Sequence, residues 1–178
     1  MQIRQLVASD AAQYRDLRLR MLRDYAEAFT SSYEDDAIKP LAWVQDRLVA
    51  GNDAPYDFVL GAFSEDGALI GSIGLSVEAR SKLRHKGLLF GMYVAPEQMS
   101  RGVGRALLAA CLERARSIPG LEQINLTVTA TNARATRLYE AAGFRTFGLE
   151  QRALKMHGTY HPKAHMVCYL RPSDAQRD

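Results

Sequence analysis

The spacing of apolar side chains divides the chain into strand-like and helix-like stretches. Ile3 to Val7 alternates as a short edge strand does. Tyr14, Leu17, Met21, Leu22 and Tyr25 then recur at helical spacing. Asp10, with Gln13 three residues later, has the form of a capping box for that helix. Phe29 to Asp36 breaks the period and reads as a loop. Pro40 suits the first turn of a second helix, whose stripe is Leu41, Val44 and Leu48 and whose stop is Gly51. Asp57 to Phe63 and Ala68 to Val77 read as strands joined by the turn Ser64 to Gly67. Leu88 to Val94 is the most apolar strand, with the composition of one covered on both faces.

A glycine turn follows, then a helix from Val103 to Ser117 with Val103, Ala106, Leu107, Ala110 and Cys111 inward. Ile124 to Thr129 is a further strand, and Asn132 to Ala142 a helix closed by Gly143. Phe147 to Met156 and His165 to Leu170 are late strands about a turn from His157 to Pro162. The predicted order is strand, two helices, an antiparallel group, then strand-helix-strand-helix-strand. That is one mixed α/β (α+β) domain over residues 1–171, with a polar C-terminal tail over 172–178.

Composition narrows the function classes. The 178 residues are 47% apolar and 24% charged, ordinary globular proportions that argue against disorder or a fibrous repeat. Cys111 and Cys168 are too few for a disulfide framework and lack metal-ligand spacing, which fits a reducing compartment. His157, His161 and His165 are spaced by four, but Gly158 and Pro162 argue against a helix there, so no metal site is predicted. The apolar run Leu88 to Pro96 is far short of the roughly 20 residues that span a bilayer. The N-terminus lacks the apolar core of a signal peptide. The expectation is a cytoplasmic protein with neither membrane nor nucleic acid as partner. Net charge is only +3, yet it is uneven. Arg80 to Arg116 holds eight Lys/Arg against Glu97 and Glu113, a net +6, while the remainder sums to −3.

That basic window brackets the most informative segment. Strand Leu88 to Val94 feeds a turn whose Gly102 and Gly104 permit close backbone approach, and a helix then begins with free N–H groups facing outward. This is anion-binding architecture. A P-loop is excluded because no Gly-Lys-[Ser/Thr] follows, and a dinucleotide fold is disfavoured by the antiparallel strands that precede the loop. In the second segment Asn132 stands at a strand-to-helix junction, where an N-cap is its ordinary role. Tyr139 follows two helical turns later on the same side.

Together the two segments resemble the GNAT-type, acetyl-CoA-dependent N-acetyltransferases. The family's strand-Val-x-Pro stretch is matched by Met92-Tyr93-Val94-Ala95-Pro96, its pyrophosphate loop by Met99 to Gly104, and its Asn-x-x-Ala-x-x-Leu-Tyr-x-x-x-Gly-Phe run by Asn132 to Phe144. The resemblance implies a central, mostly antiparallel sheet that splays at the acyl-CoA site, flanked by about four helices. It implies transfer of an acetyl group from acetyl-CoA to a primary amine of a small molecule or peptide by direct attack in a ternary complex. The cofactor contacts it implies are the backbone of Met92, Tyr93 and Val94, the loop Met99, Ser100, Arg101, Gly102, Val103, Gly104 and Arg105, and Asn132 and Tyr139. Tyr139 is the implied catalytic acid for the CoA sulfur. The loop's Met99 and Ser100 depart from the family's Gln/Arg and glycine, so Arg101 and Arg105 are expected to supply the basic charge. Phe29, Tyr33 and Tyr160 are candidates for the acceptor pocket, and the late strands for a homodimer face. The implied strand glutamate is missing from Leu88 to Tyr93, leaving Glu78 and Glu34 as the nearest candidate bases. The competing expectations are a non-catalytic acyl-CoA-binding sensor and a nucleotide-phosphate binder.

Overall fold

Among the described residues seven strands form one sheet in the order β1-β2-β3-β4-β5-β7-β6. They are β1 (Gln2–Gln5), β2 (Phe58–Phe63), β3 (Leu69–Val77), β4 (Lys86–Val94), β5 (Gln123–Thr129), β6 (Arg145–Met156) and β7 (Thr159–Tyr169). The helices are α1 (Ala11–Asp24), α2 (Tyr33–Ala37), α3 (Leu41–Leu48), α4 (Val103–Arg116) and α5 (Ala133–Ala141). This computed structural model describes residues 1–49 and 56–170; the predicted helix stop Gly51 and the tail 172–178 lie outside them. No described helix is long and apolar enough to cross a membrane.

Each face of the sheet carries its own core. On one, α4 buries Val103, Leu107, Leu108, Cys111, Leu112 and Ala115 against Ile73, Leu75, Ile124 and Leu126. On the other, Tyr14, Leu17, Met21 and Leu22 of α1 pack with Val44 and Leu48 of α3 over Leu6, Val59, Phe63 and Tyr93. Fully burying each large apolar side chain stabilises by about 1.5–3 kcal/mol, which makes these two stripes the main hold on the helices.

Several expectations need correction. The second half of the expected loop Phe29 to Asp36 is helical, as α2 starts there after Ser32, whose hydroxyl accepts the Asp35 N–H at 3.0 Å. The capping box does not form: Arg4 and the Val7 N–H take the Asp10 carboxylate, and Gln13 accepts the Leu69 N–H at 2.9 Å. Leu41 is exposed, so the α3 stripe is narrower than predicted. The expected turn around Pro162 is shorter, since β7 already begins at Thr159 and includes His161 and Pro162. The inward stripe of α4 is also shifted, with Ala106 and Ala110 half-buried and Leu108, Leu112 and Ala115 buried.

The connection after α1 is fastened by one buried carboxylate. Asp36, 4% exposed, pairs with Arg18 at 2.5 Å and Lys39 at 2.6 Å. Burial pulls this carboxyl upward, but the Lys39 hydrogen bond and the Arg18 charge outweigh it and hold its pKa below the ordinary value. Its contribution is therefore fully present above the unfolded pKa and is lost as pH falls below about 4. Asp36→Asn should lower the unfolding free energy by about 3–5 kcal/mol at pH 7, because it leaves the Arg18 guanidinium buried without its partner. Denaturant titration at pH 7 and pH 3 checks this: the gap between variant and wild type should shrink at the lower pH.

Candidate active site

The sheet opens between β4 and β5. These strands pair in parallel only from Lys86 to Leu88, opposite Gln123 to Asn125, and then diverge. A strand covered on both faces is therefore not what β4 becomes, for Leu88 is 48% exposed. Opposite β3, β4 carries one extra residue: Gly74 pairs with Phe90, but Ser72 pairs with Tyr93. Gly91 takes up the bulge with φ +59°, a conformation that favours glycine, and its carbonyl accepts the Ser72 hydroxyl at 3.2 Å. Beyond Leu88 the β4 edge that faces β5 has no strand partner among the described residues, so its backbone groups are open to an extended ligand.

A cleft of about 1770 Å³ runs through this opening. One end is the turn from Met99 to Gly102, where Gly102 adopts φ +83° and α4 begins at Val103. The first N–H groups of α4 have no partner within the helix and point out of its N-terminus. Gly104 lies where an added Cβ would meet Met92 Cε at 3.2 Å. Arg20 of α1 holds Glu97 through two hydrogen bonds (2.8 and 2.7 Å), and Arg134 reaches Met99 Sδ at 3.2 Å and Ser100 Oγ at 3.4 Å. The turn is thus braced from both sides.

On the far wall Asn132 caps α5, accepting the Ala135 N–H at 3.0 Å, and Tyr139 follows two turns later. Tyr139 is 7% exposed and meets Phe144 edge-on at 5.7 Å. Burial pushes its phenol far above the ordinary value, so it stays protonated. The opposite face of the cleft is built by the segment after α1. There Thr129 donates to the Glu27 carbonyl at 2.8 Å, and Lys163 donates to the Ala28 carbonyl at 3.0 Å. A second cavity of about 470 Å³ adjoins it, sharing Phe29, Thr30, Leu88, Phe90 and Gly91 and reaching Arg47 and Asp57. Burial raises the Asp57 carboxyl, while the Val77 N–H at 2.7 Å and Arg47 pull it back.

Every predicted cofactor-contacting residue except Arg101 lines the main cleft. Arg101 does not, and of the basic window only Arg105 and Arg116 do. Arg134, Arg137 and Lys163 add three cations that sequence reasoning missed, so among the described residues the wall carries five basic side chains against one acid, Glu113. Of the acceptor candidates Phe29 lines both cavities; Tyr33 and Tyr160 line neither, and Tyr160 stacks under Arg152 on the β6–β7 hairpin. Glu34 is exposed on α2 and Glu78 pairs with Arg80 at 3.0 Å, so neither candidate base faces the opening. His165 approaches Glu150 at 3.2 Å, and no metal-ligating cluster occurs among the described residues. Cys111 is core, its thiol pushed up to about 12 by burial.

Residues 18–144 match the model of the Acetyltransferase (GNAT) family. Mycothiol acetyltransferase of Thermobispora bispora is 34% identical over 107 residues, 58% of this chain and 36% of that one. The L-amino acid N-acetyltransferase of Escherichia coli K12 is 30% identical over 95 residues, 53% of this chain and 58% of that one. The match thus spans only about a third of the mycothiol enzyme's length. Among solved structures, a GNAT-family acetyltransferase of Streptococcus pneumoniae superposes with TM-score 0.84 at 24% identity, covering 94% of this chain and 98% of that one. A phosphinothricin acetyltransferase of Sinorhizobium meliloti, solved with acetyl-CoA, gives 0.81 at 22% identity over 99% and 91%.

Proposed function

Since this chain belongs to the Acetyltransferase (GNAT) family, we propose that it moves an acetyl group from acetyl-CoA to a primary amine by direct attack in a ternary complex. The observation that carries this reading is the β4–β5 opening, with a helix N-terminus at one end and the protonated Tyr139 on its wall. The residues present fit the co-substrate: an unpaired strand edge suits the amides of an extended pantetheine, and Arg105, Arg134 and Arg137 suit its phosphates. Bound there, acetyl-CoA supplies an activated thioester.

The chain's own groups then have separable tasks. The N–H groups of Val103, Gly104 and Arg105 hold pyrophosphate oxygens, with Arg105, Arg134 and Arg137 adding charge. The Met92 to Val94 backbone aligns the pantetheine, and an N–H there stabilises charge on the attacked carbonyl oxygen. Tyr139 gives its proton to the departing sulfur as the C–S bond breaks, and the proton lost by the attacking amine nitrogen restores it, so the amine and thioester leave as amide and free thiol. Asn132 caps α5 and so fixes where Tyr139 stands. The acceptor, a small-molecule or peptide amine, approaches from the Phe29 and Thr30 side. A homodimer through β6 and β7 belongs to the same proposal.

Acetyl-CoA should raise the melting temperature, and an amine panel should release free CoA thiol in an acceptor-dependent manner. Binding without thiol release for any amine would leave an acyl-CoA-binding module; ATP binding in place of CoA would remove the reading altogether.

A further inference from the structure

Lys163 is a cation in the wrong kind of place. It lies on β7 opposite Thr129 of β5 and is only 4% exposed, yet it lines the cleft. Among the described residues its single hydrogen bond runs to the Ala28 carbonyl at 3.0 Å, and no carboxylate stands within ion-pair distance. Glu150, its register partner on β6, turns instead to His165 and is more than half exposed. The Glu27 side chain is exposed, and only that residue's carbonyl faces inward, to Thr129. Desolvation lowers the Lys163 pKa, the signature of an ammonium whose counter-charge is missing.

Buried charges are ordinarily paired, and this one is left with a neutral carbonyl at a ligand cleft. We propose that Lys163 recognises a carboxylate on the acceptor amine, so that the preferred substrates are amino-carboxylates rather than simple amines. The position decides against the phosphates of the co-substrate as its partner. Lys163 and Thr129 reach the segment after α1, on the sheet face that carries α1, whereas the glycine turn opens α4, whose core lies on the other face. The cleft that Lys163 lines suits a monoanion there: beside this one ammonium it offers the hydroxyls of Thr30 and Thr127 and the rings of Tyr25 and Phe29. The carboxylate would take ammonium protons now left without a protein acceptor, while Ala28 keeps its own.

This inference rests on the acetyltransferase reading, and its test separates the two. Matched acceptors, each an L-α-amino acid, its carboxamide and its decarboxylated amine, are assayed for CoA thiol release. In the wild type the carboxylate member should lead by about tenfold or more in kcat/KM, the size of one charge-assisted contact. K163M should erase that lead by raising KM for the carboxylate about tenfold, leaving kcat, the amine's kcat/KM and acetyl-CoA affinity near wild type. K163R should restore part of the preference. Equal losses on all three acceptors would make Lys163 a mere fastener of the segment after α1 and overturn the proposal. So would the absence of any carboxylate preference in the wild type, a result that holds even if K163M does not fold. Failure of acetyl-CoA binding and of thiol release with every amine would instead remove the acetyltransferase reading and the proposal with it.

Discussion

Tyr139→Phe should lower kcat by about 10²-fold or more, the usual share of a positioned general acid, while acetyl-CoA affinity stays within about twofold. The two effects separate because the side chain has two tasks. Its ring packs edge-on against Phe144 in the α4 core, and phenylalanine keeps that contact. Its hydroxyl is the only part removed. Burial raises the phenol, which keeps the proton in place across any working pH. A thiol with the ordinary cysteine pKa of about 8.5 is by itself a poor match for so weak an acid. The apolar packing that buries Tyr139 also disfavours a thiolate departing beside it and raises that thiolate's proton affinity, so donor and acceptor shift together. Steady-state kinetics at saturating co-substrate, with the dissociation constant measured separately, distinguish this from a packing defect. A variant with unchanged kcat would strip Tyr139 of its acid role, and a variant that lost affinity and turnover equally would make it a binding residue.

Local patterns were sufficient wherever one element's period set its environment. The α4 and α5 spans, and the junction at Asn132, follow from helical spacing, a glycine turn and an N-cap, all short-range features. They were insufficient where a distant residue decided the outcome. Asp10 looks like half of a capping box, but Arg4 outcompetes Gln13 for it through two hydrogen bonds. The start of α2 carried its own signal, Ser32 followed by Glu34, Asp35 and Asp36, yet five residues are too few to set up a periodic stripe. Pro162 suggested a turn because proline cannot donate to a ladder; it is tolerated in β7 where the β6 pairing is irregular between Glu150 and Leu154.

The candidate site divides in the same way. The co-substrate half is a contiguous motif and was legible as such. The acceptor half is assembled from the segment after α1, the β4 bulge and β7, which meet only in the folded chain. A lysine in an alternating strand reads as a solvent-facing residue, so nothing local marks Lys163. The bulge at Gly91 is equally silent, since a glycine in a strand does not announce which partner it slips against.

Gly104→Val should weaken acetyl-CoA by about 10²-fold while leaving the melting temperature close to wild type, which sets it apart from a folding defect. The position is helical, so valine needs no unusual backbone. The nearest atom to an added Cβ is the terminal methyl of Met92 at 3.2 Å, with Leu138 and Val94 at 3.6 Å, and a flexible methionine end can yield. Met92 and Gly104 both line the cleft, so the new side chain crowds the strand edge and the helix N–H groups that the pantetheine and pyrophosphate need. Losing one or two hydrogen bonds to a charged ligand, at about 1.5–3 kcal/mol each, accounts for the size. Gly102→Ala is the control with the opposite cause. Nothing lies within 4 Å of its Cβ, but φ +83° costs an alanine about 1–2 kcal/mol, spread over fold and turn. It should therefore lose stability together with a smaller, roughly tenfold loss of affinity, measured by calorimetry and thermal denaturation. If Gly104→Val bound acetyl-CoA as well as the wild type, the turn at the start of α4 would not be where the phosphates sit, and the basic wall of Arg105, Arg134 and Arg137 would have to hold them alone.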